Sequence, residues 1–427
     1  MRIRSSKPYA GRMRAEGDSG KPFVPSDTRQ KVGTRTHQQG PSVPTSTITP
    51  DRSPDRAFRL GRRPALDGLR ALSVLAVVCV HSNVPFAEGG FLGVDVFFAL
   101  SGFLITTLLL EEFDDARRIS LKAFYARRNR RLMPAFLVFL LVGFMITYPG
   151  VHGNQRHQLI TGSLASLFYV RNWFQIASNT TLDGYTHAHL WSLAVEEQFY
   201  FVWPIVMVGL TRLRRVHMVR VVAVLLGAST AASFLLANAT PGRPRVYLAT
   251  DTRASQLLAG ALLAVLLKQS PRLRTWLARS ARVGLPLGVL AVGATILSVH
   301  VVGGSRFFRG YDRGGMAAFG LLIALVVGFL MFAPNNGVTR LLSTPPLVAI
   351  GRYSYAIYLW HVLVINMFSP RNVFGLTLIR IDRLAFRTPV VIAVSTAIAA
   401  LSMRVVEAPL QRRLFPWANH KKRGLDG

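Results

Sequence analysis

The chain has one cysteine, few acidic residues and no internal repeat at a fixed period. Cys79 is alone among 427 residues, so no intrachain disulfide can form, and its apolar setting, "LAVVCVH", assigns it to packing. Asp and Glu number 20 against 51 Lys and Arg, which leaves a formal charge of +31. Nucleic-acid-binding domains can be as basic, but they do not carry long apolar runs, and 50% of this chain is hydrophobic. No nucleic-acid partner is therefore expected. The lack of self-similarity disfavours the inverted-repeat transporter folds. No apolar stretch precedes residue 66, which argues against a cleaved signal peptide, and no soluble enzymatic domain is expected after the last apolar run.

What is present is apolar length. Segments such as Val219 to Leu236, Leu285 to Val302 and Phe319 to Ala333 approach the ~20 residues that cross a hydrocarbon core. Hydropathy places helices at 66–84, 91–111, 133–149, 191–210, 219–237, 253–268, 283–301, 316–333, 347–367 and 388–408. The expected fold is an all-α polytopic transmembrane helix bundle of about ten helices in the lipid bilayer, with both termini cytoplasmic. That orientation puts the basic N-terminal tail, residues 112–132, "TRLRRVHMVR", "KQSPRLRTWLARSAR" and the terminal "HKKR" inside, as the positive-inside rule requires. The multi-pass protein then belongs to the cytoplasmic membrane. The segment 369–387, with Arg371, Arg380, Arg383 and Arg387, is expected outside and is the basic exception. Three parts follow: a disordered basic tail over 1–60, a membrane domain over 61–410 and a basic cytoplasmic tail over 411–427. The Arg-, Pro- and Ser-rich tail reads as an unconstrained extension, with a polybasic tether to anionic lipid as the alternative.

Polar residues inside the apolar helices carry the chemistry. In "LRALSVLAVVCVH", Arg70 and His81 are eleven residues apart. Eleven steps of about 100° return to within about 20° of the start, so both side chains leave one face, about 16 Å apart along the axis. An ionisable group in a membrane marks a function or a wet interior. Asp95, Glu196 with Glu197, and His361 fall at a depth similar to that of His81 in three other helices. His189 and Glu196 can share a face, and Ser354, Tyr358 and His361 form an i, i+4, i+7 stripe. His187 and His189 with Glu196 resemble a metal set, but no third spaced ligand supports one, and no metal or bound cofactor is expected.

The other end of the bundle is different. "FYARRNRRLMP" packs Arg127, Arg128, Arg130 and Arg131 at the start of the third helix. Guanidinium groups suit bidentate phosphate binding, although positive-inside flanking alone accounts for several arginines. An inner phosphate-binding group and an outer acid–base group, joined by one helix face, fit an elongated donor such as an acyl thioester of coenzyme A. A transporter that uses Asp95, Glu196 and His361 as a relay, and a polybasic scaffold, are the competing classes.

These motifs resemble the acyltransferase-3 family of integral membrane O-acyltransferases, over about residues 62–410. The elements occur in order: "PALDGLRALSVLAVVCVH", "GFLGVDVFFALSGFLIT", "FYARRNRRLMP", "HLWSLAVEEQFYFVWP", the "DTR" of Asp251 to Arg253, and "GRYSYAIYLWH". The resemblance implies acyl-CoA as co-substrate and His81 with Arg70 as the catalytic pair. It places Arg127, Arg128 and Arg131, together with Arg70, near the donor's phosphates, and Arg130 at a variable position. The expected reaction moves an acyl group to a hydroxyl of a glycan, glycolipid or glycosylated small-molecule acceptor, with His81 as general base and either Asp95 or Glu196 orienting it. Tyr358, Ser101 and Arg253 are candidate oxyanion donors, and a covalent acyl-histidine is the variant mechanism. Some family members end in a soluble SGNH-type domain; without it, either direct acylation or a separate partner is implied.

Overall fold

The computed structural model describes residues 58–178, 187–239, 244–370, 377–407 and 409. The expectations for most of the N-terminal tail, for Arg371 and for residues 411–427 lie outside the described residues. Helices run α1 Pro64–His81, α2 Leu92–Ala116, α3 Leu121–Thr147, α4 Gly153–Leu167, α5 Arg171–Ser178, α6 Trp191–Leu210, α7 Arg215–Ala239 and α8 Pro244–Leu248. They continue with α9 Thr250–Gln269, α10 Pro271–Val302, α11 Gly304–Gly310, α12 Met316–Phe332, α13 Gly337–Leu342, α14 Pro345–Met367 and α15 Leu384–Ser402. Among the described residues there is no strand, and the fold is the expected polytopic helical bundle.

Among the described residues, nine helices are long and apolar enough to cross a membrane. The tenth expected span is α9, which carries Asp251, Arg253 and Lys268 and fails on composition. Its polar side chains point inward: Thr252, Arg253, Ser255 and Gln256 are all buried. α2, α7 and α12 pack around it. Glycines set the spacing, since a Cβ on Gly102 would stand 1.8 Å from the Leu257 carbonyl oxygen and one on Gly260 would stand 1.9 Å from that of Ala99.

Two helices begin earlier than hydropathy suggests. α3 starts at Leu121 because the Ser120 side chain caps it, accepting from the Ala123 amide; the arginine motif is therefore helical. α10 starts at Pro271, where Ser270 accepts from the Leu273 amide at 3.1 Å. Both are N-caps that satisfy orphan amides, a local signal that averaging over a hydropathy window hides. Between α11 and α12, Gly314 at φ 115° supplies a bend that an L side chain rarely permits.

The boundary expected at residue 60 lies a little inside the packed chain. Phe58 is buried between the rings of Phe103 and Phe332, 6.4 and 6.1 Å away, and Arg59 pairs with Asp115. After α3 the chain forms α4 and α5, with Asn172 and Gln175 buried.

Candidate active site

Three histidines from separate elements meet at one end of the bundle. His81 closes α1, His361 lies in the second half of α14, and His189 sits in the turn before α6. The rings of His81 and His361 are 5.0 Å apart and edge to face at 73°, and those of His361 and His189 repeat the same figures. α1 and α14 approach closely because Gly351 presents no side chain; a Cβ there would stand 1.8 Å from the Asp67 carbonyl oxygen.

Backbone carbonyls fix the tautomers. Nδ1 of His81 is 2.8 Å from the Val77 oxygen, Nδ1 of His361 is 2.6 Å from that of Tyr358, and Nε2 of His189 is 3.2 Å from that of Leu359. A carbonyl only accepts, so these nitrogens carry the proton in the neutral rings and the opposite nitrogens keep the lone pair. Nε2 is thus the basic nitrogen of neutral His81. Beside the group, the Tyr358 hydroxyl donates to the His189 carbonyl at 2.8 Å and meets Ser192 Oγ at 2.5 Å.

The carboxylates expected to orient His81 are engaged elsewhere. Asp95 and Arg253 are fully buried and paired at 3.1 Å, and the Tyr311 hydroxyl donates to the second Asp95 oxygen. The guanidinium also lies 4.3 Å from the Tyr247 ring centroid and 5.1 Å from that of Trp191. The first turn of α2 faces α9 and α12 here, away from the histidines. Glu196 accepts from the hydroxyls of Ser101 and Tyr200. Neither carboxylate is hydrogen-bonded to His81 among the described residues, and its Nδ1 faces the Val77 carbonyl. Of the three expected oxyanion donors, only Tyr358 stands beside the histidines. Among the described residues, Asp95, Glu196 and His361 fall into separate hydrogen-bonded groups.

Arg70 and Arg128 are half-buried, whereas Arg127 and Arg131 are exposed. Arg70 lies six residues into α1 and Arg128 seven into α3, about 9–10 Å along each axis. Arg128 stacks 3.1 Å above the Tyr200 ring and reaches Glu197 at 3.5 Å. Arg131 lies within electrostatic reach of Arg70, Arg128 and Asp67. Arg127 is exposed and pairs instead with Glu112 at 2.8 Å.

A cavity of about 40 Å³ is lined by Arg70, Glu196, Ser192, Ser354 and Tyr358, and so lies between Arg70 and the tyrosine that bonds the His189 carbonyl. On the far side of Arg128 and Tyr200 lies a lateral groove of about 1050 Å³, lined by Glu197, Trp173, Val202 and Ala228 and flanked by exposed Phe168 and Phe201. The neighbouring glutamates 196 and 197 therefore face different spaces.

His187 does not join His189. It contacts Ser163 at 3.1 Å, and burial, with the charge of Arg171, pushes its imidazole down to about 3. No group of three or more His, Cys, Asp or Glu that could hold a metal occurs among the described residues. Arg387, from the basic segment 369–387, donates to the Ser82 carbonyl at 3.0 Å, next to His81. Sequence reasoning missed that contact and the Tyr311 partner of Asp95; the surplus of arginine in 369–387 was the one available signal.

Residues 63–403 match the family model described as an acyltransferase domain. The chain is similar to the peptidoglycan O-acetyltransferase OatA of Listeria monocytogenes, with 35% identity over 84% of this chain and 58% of that protein. It is also similar to the O-acetyltransferase OatA of Staphylococcus aureus, with 30% identity over 82% of this chain and 58% of that protein. The chain thus spans less than two thirds of these relatives. No solved structure matches. The family match, covering most of the chain and all six motifs, shows that this chain belongs to the acyltransferase-3 family.

Proposed function

We infer that this chain is a membrane O-acyltransferase. It moves an acyl group from acyl-CoA to a hydroxyl of a carbohydrate or glycosylated acceptor, with His81 as general base. The observation that carries this is the small cavity between Arg70, which is within electrostatic reach of Arg131, and Tyr358, which bonds the His189 carbonyl beside the three histidines. Arg131 feels the like charges of both Arg70 and Arg128, with Glu197 and Asp67 as nearby counter-charges. A polyanion relieves that repulsion, and the phosphates of acyl-CoA are of that kind. The arginine end faces the cytoplasm and the histidine end the outside, with the protein in the cytoplasmic membrane, as the basic flanks favour.

In this reaction Nε2 of His81 takes the proton of the acceptor hydroxyl as its oxygen attacks the thioester carbonyl. The C–S bond then breaks, and the coenzyme A sulfur leaves with the bond's electron pair and receives the proton. The Val77 carbonyl holds the ring and favours the Nδ1–H tautomer that leaves Nε2 basic. A glycan acceptor accords with the peptidoglycan named for the Listeria relative.

The test is thiol release from acetyl-CoA and longer acyl-CoAs by purified protein in detergent, with a panel of glycan acceptors and a His81→Ala control. Acceptor-dependent release that disappears in the variant supports the assignment. A folded wild-type protein that neither binds donor nor releases thiol overturns it and favours transport.

A further inference from the structure

Helical serines and threonines of this protein tend to satisfy their hydroxyls locally. Ser73, Thr107, Thr147 and Ser166 each donate to the carbonyl four residues back, at 2.7–2.8 Å. Ser354 on α14 does not: it is 1% exposed, and its Oγ has no hydrogen-bond partner among the described residues. A buried polar atom left unsatisfied calls for a cause. Ser82 and Ser395 share the deficit, but Ser354 differs from them in lining the cavity of about 40 Å³.

The same cavity is lined by a carboxylate with an oxygen to spare. The hydroxyls of Ser101 and Tyr200 both donate to Oε1 of Glu196, and Oε2 accepts from no side chain among the described residues. Ser192 and Tyr358, also in the wall, bond one another, and Tyr358 donates to the His189 carbonyl. The cavity thus offers one uncommitted donor and one uncommitted acceptor, with room for a water or one small polar group. A secondary amide, with one C=O and one N–H, is the complement. Position narrows its source. Ser354 stands seven residues before His361 on α14, about 10 Å along the axis, and Arg70 lines the same cavity. A donor with its phosphates among the arginines and its thioester at the histidines passes this level with the pantetheine arm, which holds two secondary amides.

We propose that this cavity is the amide subsite of the donor: Ser354 Oγ donates to an amide carbonyl of the pantetheine arm, and Glu196 Oε2 accepts the amide N–H. No bond is made or broken there; the contact fixes how far the arm reaches and so where the thioester stops. The inference rests on the acyltransfer reading and adds Ser354 to it as a binding residue. An N-acetyl group on an amino-sugar acceptor has the same chemistry, and the experiment separates the two sources.

Ser354→Ala removes only the hydroxyl. Because that hydroxyl bonds to nothing within the described protein, the variant should melt no lower than wild type in detergent. Titration calorimetry should show coenzyme A binding weakened about two- to tenfold, the range of one hydrogen bond. Adenosine 3′,5′-bisphosphate, which has phosphates but lacks the arm, should bind as it does to wild type. The KM for acetyl-CoA rises in parallel, while kcat changes less. Unchanged coenzyme A binding means that the hydroxyl meets only water, and it overturns the proposal. Equal weakening of both nucleotides also overturns it, since the effect is then not on the arm. So does a rise in KM confined to an N-acetylated acceptor, which moves the amide to the other substrate. If wild type binds coenzyme A and transfers acyl groups and the variant matches it, this inference alone fails; if wild type does neither, the functional reading fails and takes this inference with it.

Discussion

Asp95 and Arg253, 158 residues apart in sequence, form a fully buried ion pair that joins the first turn of α2 to α9. Removing one partner strands the other charge in a medium without water. Asp95→Ala is expected to cost about 3–5 kcal/mol, seen as a large fall in melting temperature in detergent. The double variant Asp95→Leu/Arg253→Met removes both charges and should melt above either single truncation. If Asp95→Ala melts like wild type, the pair is not what holds these helices in register.

Helix spacing around α9 makes a second prediction. Gly102 and Gly260 each face a carbonyl at less than 2 Å from where a Cβ would stand, whereas Gly293 faces open space. Gly102→Ala or Gly260→Ala pushes α2 and α9 apart, and overpacking against backbone is expected to cost at least about 1–3 kcal/mol. Gly293→Ala should be neutral or stabilising, since alanine favours the helix. Size-exclusion profiles and melting curves of the three variants separate these outcomes.

The two predictions also mark what a single sequence can and cannot disclose. The face shared by Arg70 and His81 follows from helix period alone, and the stripe of Ser354, Tyr358 and His361 follows in the same way. Both are intrahelical relationships. The partner of Asp95 is a tertiary fact: hydropathy assigns its depth but not its azimuth, and the first turn of α2 faces Arg253 rather than His81. Glu196 and Glu197 were equivalent in sequence, yet one helical step of about 100° places them against different cavities. α9 was legible as a helix, but its central position was not, because a span enclosed by protein on all sides tolerates polar residues that lipid would exclude.

Arg128 carries the third prediction. Its guanidinium carbon stands 3.1 Å over the Tyr200 ring centroid while the group reaches Glu197, a double contact that the point charge of lysine cannot reproduce. Under the acyltransfer assignment, Arg128→Lys should raise the KM for acyl-CoA roughly tenfold or more, with a smaller effect on kcat. Inhibition by free coenzyme A should weaken in parallel, because both ligands carry the same phosphates. If only kcat falls, Arg128 acts on the chemistry through Tyr200 and Glu196 rather than on donor binding.

Arg387 supplies the last. Its guanidinium donates to the Ser82 carbonyl at 3.0 Å, at the C-terminal end of α1 and one residue from His81. A cation at this end offsets the partial negative charge of the helix terminus by about 0.3–1 kcal/mol and ties α15 to the residue that follows His81. Arg387→Gln removes the charge and loosens this end. Stability should fall by only about 1 kcal/mol, while kcat falls severalfold and the KM for acyl-CoA stays the same, because the arginine group lies about 16 Å away along α1. Arg387→Lys keeps the charge and should fall between the two. A lowered melting temperature with unchanged kcat would mean that Arg387 fastens α15 to α1 without bearing on the base.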